Sequence, residues 1–169
     1  MLNIIKNLFR RKLIVYYAFC HPEAKMLFKA HEDDACWDVF AASLTVYKDG
    51  DTKNGKPVAA HYDYGTGLKF AIPKGYEIEC RPRSSGYVKT GMLMVNAPAT
   101  IDCGYTGEVH GMFTRFGFGK PFQVGDRIMQ IKVPSRLYND VHFELVDELP
   151  DYGGTRGDNG FGSTGGIRR

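Results

Sequence analysis

The sequence has no long hydrophobic run and little net charge, and each shortage argues against a class of protein. Its longest apolar stretch, Leu13 to Cys20, is far shorter than the roughly 18 residues that a membrane helix needs. There are 22 lysines and arginines against 19 aspartates and glutamates, and the net charge of +3 is too small to indicate nucleic-acid binding. We therefore expect neither a membrane nor a nucleic acid as partner.

Cysteine is also scarce, and the few cysteines lack the spacing of a metal site or a disulfide framework. The four are Cys20, Cys36, Cys80 and Cys103, with no C-x-x-C pair among them. Scattered cysteines in a chain of this length are typical of free thiols in a reducing compartment. Basic residues precede Leu13, but no small-residue cleavage site follows the apolar stretch, so we expect a first strand rather than a signal peptide. The predicted location is the cytoplasm.

No stretch shows sustained helical periodicity, and short apolar or alternating segments separated by glycine, proline, asparagine and aspartate predict an all-β sandwich or barrel. The expected strands lie at residues 13–20, 25–30, 76–81, 92–95, 109–116, 127–133 and 141–146. Residues 49–67 are polar and glycine-rich and are predicted to form a surface loop. We expect one β domain at residues 1–150 and a flexible glycine-rich tail at residues 151–169.

Two segments have the composition of phosphate-binding loops. The tail places Arg156, Phe161 and two hydroxyl residues among glycines, which leave backbone N–H groups accessible to an anion. The segment from Arg81 to Gly86 combines arginine, two serines and a proline-fixed turn. Taken alone, the tail is better explained as a flexible linker and the segment from Arg81 to Gly86 as an ordinary polar turn.

A third segment, Asn96 to Glu108, contains a carboxylate suited to general-base chemistry. Asp102 follows an apolar residue and precedes a glycine turn, where it could orient and deprotonate a water molecule. Tyr105 could form the wall of a sugar pocket. A plain hairpin with a turn aspartate is the alternative for this segment when it is considered in isolation.

Taken together and in order, five segments resemble the motifs of the trimeric dUTPases. These motifs, numbered first to fifth below, are Ala35–Ala41 (ACWDVFA), Pro82–Ser85 (PRSS), Asn96–Glu108 (NAPATIDCGYTGE), Gly125–Gln130 (GDRIMQ) and Arg156–Gly165 (RGDNGFGSTG). The resemblance covers residues 24–165. It implies a distorted β-barrel or jelly roll with a flexible C-terminal arm, assembled as a homotrimer with shared active sites. The implied reaction is hydrolysis of dUTP to dUMP and pyrophosphate, with Mg²⁺ held by the triphosphate and water.

The resemblance also implies a role for each matching residue of the third motif. Asp102 would activate the attacking water and touch the 3′-hydroxyl. Tyr105 would pack under the deoxyribose, where a 2′-hydroxyl would clash. Asn96 would face uracil, while the hairpin backbone around Ile101 reads the rest of the base.

The other motifs are implied to bind the phosphates. Arg83, Ser84 and Ser85 would form the phosphate-binding turn, and Gln130 would contact the α-phosphate, so that Arg83 and Gln130 act in catalysis with Asp102. Asp38 would pair near Arg83 and the metal's water shell without ligating the metal. The flap that closes over the site would comprise Arg156, Phe161, Gly162, Ser163 and Thr164.

Two other functions remain as alternatives. A dCTP deaminase of the same fold would need a catalytic glutamate in a T-L-E-type segment, and the sequence has Ile101-Asp102 at the comparable place. A dUTPase-like regulatory module would bind a partner instead of catalysing, and the long segment at residues 49–67 is where such a partner contact would be sought.

Overall fold

The computed structural model describes residues 13–117, 119–134 and 141–152, and these residues are mostly in β-strands. The strands are β1 (Leu13–Phe19), β2 (Trp37–Phe40), β3 (Thr45–Tyr47), β4 (Thr52–Lys53), β5 (Lys56–Pro57), β6 (His61–Gly65), β7 (Leu68–Ala71), β8 (Glu77–Pro82), β9 (Met92–Met94), β10 (Ala99–Asp102), β11 (His110–Arg115), β12 (Arg127–Lys132) and β13 (Val141–Leu145). One short helix, α1, spans Ser84–Thr90.

The described strands form three larger sheets and one small hairpin. Their orders are β13-β1-β7, β10-β8-β12-β2 and β3-β6-β11-β9, with β4 paired to β5. All pairings are antiparallel except that of β1 with β13. Each sheet is open within the described residues, and the arrangement confirms the all-β, jelly-roll prediction.

Aromatic side chains from two strands and a loop fill the core between the sheets. The rings of Tyr64, Phe113 and Phe122 meet edge to face, with Tyr64 5.5 Å from Phe113 and 6.2 Å from Phe122 between centroids. The Tyr64 hydroxyl donates to the Phe122 carbonyl at 2.9 Å, so its polar atom is satisfied inside the core. Burying one such ring contributes about 1.5–3 kcal/mol, and this cluster holds the β6–β11 pair in place.

The structure corrects the prediction of a surface loop at residues 49–67. Residues 61–65 form β6, an inner strand between β3 and β11, and its Tyr64 is fully buried. The prediction was wrong here because polar residues alternate with tyrosines in this strand, a composition that also suits a loop. The charged side chains are neutralised by partners inside the fold. Only the preceding part of the segment, with the β4–β5 hairpin, is mainly exposed.

Two smaller differences concern local structure. The second motif opens into α1 where a polar turn was expected, and Gly91 ends this helix at a φ of 66° with its N–H bonded to the Tyr87 carbonyl at 2.7 Å. The strand expected at residues 25–30 is reduced to a single bridge between Phe28 and Asp38. Among the described residues, no helix is long and apolar enough to cross a membrane.

Candidate active site

One four-stranded sheet brings together segments that are far apart in the sequence. Its order, β10-β8-β12-β2, places the third motif beside the strand that leads into the second motif. Next come the fourth motif on β12 and the first motif on β2. Within this sheet Gln130 lies opposite Asp38 on one side and Arg81 on the other. The antiparallel register therefore sets polar side chains of the first and fourth motifs beside Arg81, the residue that precedes the second motif.

Asp38 is the centre of the charged cluster at this edge. Its Oδ1 accepts from Arg83 Nε at 2.8 Å, and its Oδ2 accepts from Arg127 Nη1 at 3.1 Å. The Asp38 side chain is only 14% exposed, so both interactions are partly shielded from water. Two guanidinium groups surround this one carboxylate, and their remaining N–H groups can donate to an anionic ligand.

A cavity of about 260 Å³ opens beside this cluster. It is lined by Phe28, Ala30, Asp34, Ala35, Cys36, Asp38, Arg83, Ser84 and Gln130. Ligand pockets usually measure about 300–1,000 Å³, so this one suits part of a nucleotide, such as its phosphates, better than a whole one. The Gln130 amide donates to the Pro82 carbonyl at 3.2 Å, which orients the side chain at the cavity wall.

Arg127 and Phe28 are functional candidates to which the sequence analysis gave no role. The Arg127 guanidinium carbon lies 5.0 Å from the centre of the Phe28 ring, a cation–π distance. The ring and Asp38 thus hold this arginine from two sides. Its place in the fourth motif was the only signal in the sequence that could have indicated a role.

The third motif is the long connection of the hairpin formed by the paired strands β9 and β11, and it contains β10, which pairs with β8. The Asn96 side chain bonds to the β11 backbone, accepting from Met112 N at 3.0 Å and donating to His110 O at 3.3 Å. Tyr105 donates its hydroxyl to the Glu108 carbonyl at 2.9 Å, and its N–H to the Asp102 carbonyl at 3.1 Å. Asn96 therefore anchors the hairpin to β11, whereas the family resemblance implies that its side chain faces uracil.

Glycine at position 107 is needed to let the Tyr105 ring fold back over the hairpin. A Cβ atom at Gly107 would lie 2.5 Å from the Tyr105 hydroxyl oxygen and 2.6 Å from the adjoining ring carbon. Such distances are too short for real side chains, so any larger residue would displace the ring.

Within one chain, the structure does not bring Asp102 close to Arg83. Asp102 pairs with Glu77 at the first residue of β8, whereas Arg83 follows the last residue of that strand. At roughly 3.3 Å per residue, the two positions are separated by about 20 Å along the sheet. The candidate base and the phosphate cluster therefore lie at opposite ends of this sheet.

The remaining predicted residues fall in two groups. Ser84 and Ser85 begin α1, with Ser84 exposed at the cavity, and Ile101 is half-buried opposite Ile78. Arg156, Phe161, Gly162, Ser163 and Thr164 lie outside the described residues. All four cysteines are free thiols.

The described residues contain no group of three or more histidine, cysteine, aspartate or glutamate side chains that could hold a metal ion. Asp34 and Asp38 are the acidic residues that line the cavity, and both oxygens of Asp38 are bonded to arginines. These residues fit a divalent cation only if its ligands come mainly from a bound substrate and water, the coordination that Mg²⁺ commonly keeps.

The fold and the site define a small all-β protein with a polar cavity beside a cluster of two arginines and one aspartate. No protein-family model matches the chain. It is 39% identical over 147 residues to the deoxyuridine 5′-triphosphate nucleotidohydrolase of Clostridium novyi (strain NT), covering 86% of this chain and 94% of that protein. The chain belongs to the dUTPase family.

Solved structures agree on the fold. A variant dUTPase of Staphylococcus bacteriophage 80alpha, solved with dUpNHpp, is 20% identical and superposes with a TM-score of 0.54 over 89% of this chain and 98% of that chain. A variant dUTPase from phage phi11 of S. aureus, whose structure describes the coordination of a structural Mg(II) ion, is 17% identical. Its TM-score is 0.54 over 79% of this chain and 97% of that chain.

Proposed function

We propose that this protein hydrolyses dUTP to dUMP and pyrophosphate, which would limit uracil incorporation into DNA and supply dUMP for dTMP synthesis. Membership of the dUTPase family supports this function, and the observation that carries it is the Asp38–Arg83–Arg127 cluster beside a phosphate-sized cavity. Two fixed guanidinium groups can bind the oxygens of a triphosphate and offset the charge of the leaving pyrophosphate.

In the proposed reaction, Asp102 acts as the general base. Its carboxylate accepts a proton from a water molecule whose oxygen attacks the α-phosphorus, and the bond from this phosphorus to the bridging oxygen breaks as pyrophosphate leaves. Arg83 and Gln130 are proposed to stabilise the negative charge on the phosphates. Mg²⁺, when bound through the triphosphate and water, would neutralise part of that charge.

The hairpin of the third motif is the proposed nucleoside pocket. The Tyr105 ring, fixed by its bond to the Glu108 carbonyl, would pack under the deoxyribose and leave no room for a 2′-hydroxyl. The backbone around Ile101 and Asn96 would read the uracil edge. The flap residues of the fifth motif are proposed to cover the bound nucleotide.

We further propose a homotrimer in which each active site is built from more than one chain. The separation of about 20 Å between the Asp102 and Arg83 positions supports this assembly, because one chain cannot place both at the same α-phosphate. A neighbouring copy would supply the missing half, as symmetric oligomers allow. The four free thiols are consistent with a proposed cytoplasmic location.

Product analysis with a panel of nucleoside triphosphates and Mg²⁺ tests this proposal. We expect dUMP and pyrophosphate from dUTP and a poor rate with UTP. Release of inorganic phosphate, or equal rates with dCTP, would contradict it. Formation of dUTP from dCTP would indicate the deaminase, and the absence of turnover would favour a regulatory binding module.

A further inference from the structure

A chain of charged side chains runs from the β4–β5 hairpin to the end of the nucleoside hairpin. Lys53 pairs with Asp63, Asp63 Oδ1 lies 2.7 Å from His110 Nδ1, and His110 Nε2 lies 3.6 Å from Glu108 Oε2. The Asp63 side chain is only 4% exposed. A carboxylate so deeply buried is stabilised only because it has cationic partners on both sides.

The register of two strands explains why these groups meet. His110 lies opposite Gly65 in the β6–β11 pair, so Asp63 is its diagonal neighbour on the same face. Glu108 precedes His110 by two residues, just before β11 begins, and its Oε2 faces the same imidazole. Gly65 leaves space for the Glu108 carboxylate, since a Cβ there would lie 2.4 Å from Oε1.

His110 connects both ends of the nucleoside hairpin. Its backbone carbonyl accepts from Asn96, where the hairpin begins, and its imidazole pairs with Glu108, where the hairpin ends. The other Glu108 oxygen accepts from Gly67 N at 2.7 Å, and the Glu108 carbonyl accepts from the Tyr105 hydroxyl. The position of the Tyr105 ring thus depends on Glu108, which His110 holds, and His110 is in turn held by Asp63.

We propose that His110, held by Asp63, is a positioning residue that fixes Glu108 and Tyr105 and thereby sets discrimination against a 2′-hydroxyl on the substrate. This inference rests on the proposed function. Neither His110 nor Asp63 touches the nucleotide in this arrangement, and both act through Tyr105.

The electrostatics agree with this geometry. The carboxylates of Asp63 and Glu108 raise the pKa of His110 to about 9 against the opposing effect of burial, so the imidazole is charged at neutral pH. Despite its burial, the pKa of Asp63 is lowered by His110 and Lys53. The pKa of Glu108 is lowered by His110, the Gly67 N–H and His21. Asp63 on β6 and Glu108 thus act directly on His110, whereas Lys53 on β4 acts on Asp63 and His21 acts on Glu108.

The test measures kcat/KM for dUTP and for UTP and takes their ratio as the discrimination. His110→Gln should lower this ratio about tenfold, mainly through the KM for dUTP, because it removes a charged hydrogen bond that orders the hairpin. Asp63→Asn should also lower this ratio. The double variant should have a ratio only slightly lower than that of either single variant. His142→Gln, at an exposed histidine on β13, is the matched control and should keep the wild-type ratio.

Thermal melts and a pH series separate positioning from folding. The wild-type ratio should fall as the pH rises through about 9, and Asp63→Asn should move that fall to lower pH. Titration of the uracil ring and of the triphosphate cancels in the ratio, because dUTP and UTP carry the same uracil and the same triphosphate. If His110→Gln does not fold, Glu108→Gln, which keeps an oxygen for Gly67, replaces it.

An unchanged ratio in folded variants, together with a flat wild-type ratio from pH 7 to 10, would overturn the inference and leave the network purely structural. Lack of dUTP hydrolysis by the wild type would instead refute the proposed function, and the inference would fail with it.

Discussion

Mixing two impaired variants should restore activity if each active site is shared between chains. The first variant is Asp102→Asn, which removes the candidate base and keeps its shape. The second is Arg83→Gln, which removes one guanidinium from the cavity and leaves Asp38 paired with Arg127. The two altered positions lie about 20 Å apart in one chain, so each variant retains the half of the site that the other lacks.

The expected recovery follows from counting. In randomly mixed trimers, a site works only when its Asp102 comes from the second variant and its Arg83 from the first, which holds for about one quarter of the sites. Losing a charged hydrogen bond of about 1.5–3 kcal/mol should leave the Arg83 variant with at most about a tenth of wild-type activity. The Asp102 variant should retain less activity than the Arg83 variant. Recovery to about one quarter of wild-type activity would therefore exceed the activity of either variant alone.

The assay measures pyrophosphate release after the two variants are co-expressed or refolded together, with each variant treated alone as reference. Arg81→Gln is the matched control for the second variant, since Arg81 lies on the same strand and pairs with Glu79 outside the cavity. It should be active alone. If mixed trimers are present and the mixture shows only the average activity of the two variants, each site lies within one chain and the shared-site proposal is wrong.

Three further predictions concern single residues. Asp102→Asn should lower kcat by about 10²- to 10⁴-fold, with little change in dUTP binding or in the melting temperature, because general-base assistance acts in the transition state; a loss of only a few-fold would show that the base lies elsewhere. The His110 interaction should stabilise the fold by about 1–3 kcal/mol. Because the folded-state pKa is raised from 6.5 to about 9, that contribution is full below pH 6.5 and disappears as the pH rises through about 9. The gap in melting temperature between wild type and His110→Gln should narrow over this range, and a gap that widens would refute the assignment. Gly107→Ala should displace the Tyr105 ring and raise the KM for dUTP more than it lowers kcat, which steady-state kinetics would check; an unchanged KM would show that the ring is not part of the pocket.

Local sequence signals predicted two of the four strands in the sheet that carries the site. Alternation of side chains indicated β8, which begins and ends one residue later than expected, and an apolar segment indicated β12, which ends one residue earlier. Sequence could not give the sheet order, because strand neighbours are chosen by contacts between distant segments. The adjacency of Asp38, Arg83 and Gln130 was therefore available only from the family resemblance, and the role of Arg127 appeared only in the structure.

The charged network was missed for a different reason. Asp63 belongs to a segment whose composition is that of a loop, and a buried aspartate cannot be distinguished from an exposed one without its partners. His110 and Glu108 occur close together in the sequence, but their connection to Asp63 exists only through the register of β6 with β11. Three ordinary polar residues become one unit because a single strand pairing aligns them.

The two arginines that Asp38 holds have a consequence for the thermodynamics of binding. A free arginine side chain loses up to about 2 kcal/mol of rotamer entropy when a ligand immobilises it. Here Arg83 and Arg127 are already fixed by the same carboxylate, and Arg127 is also held against Phe28. Much of that loss is incurred when the chain folds, so a triphosphate that reaches the cavity meets donors that need little further ordering.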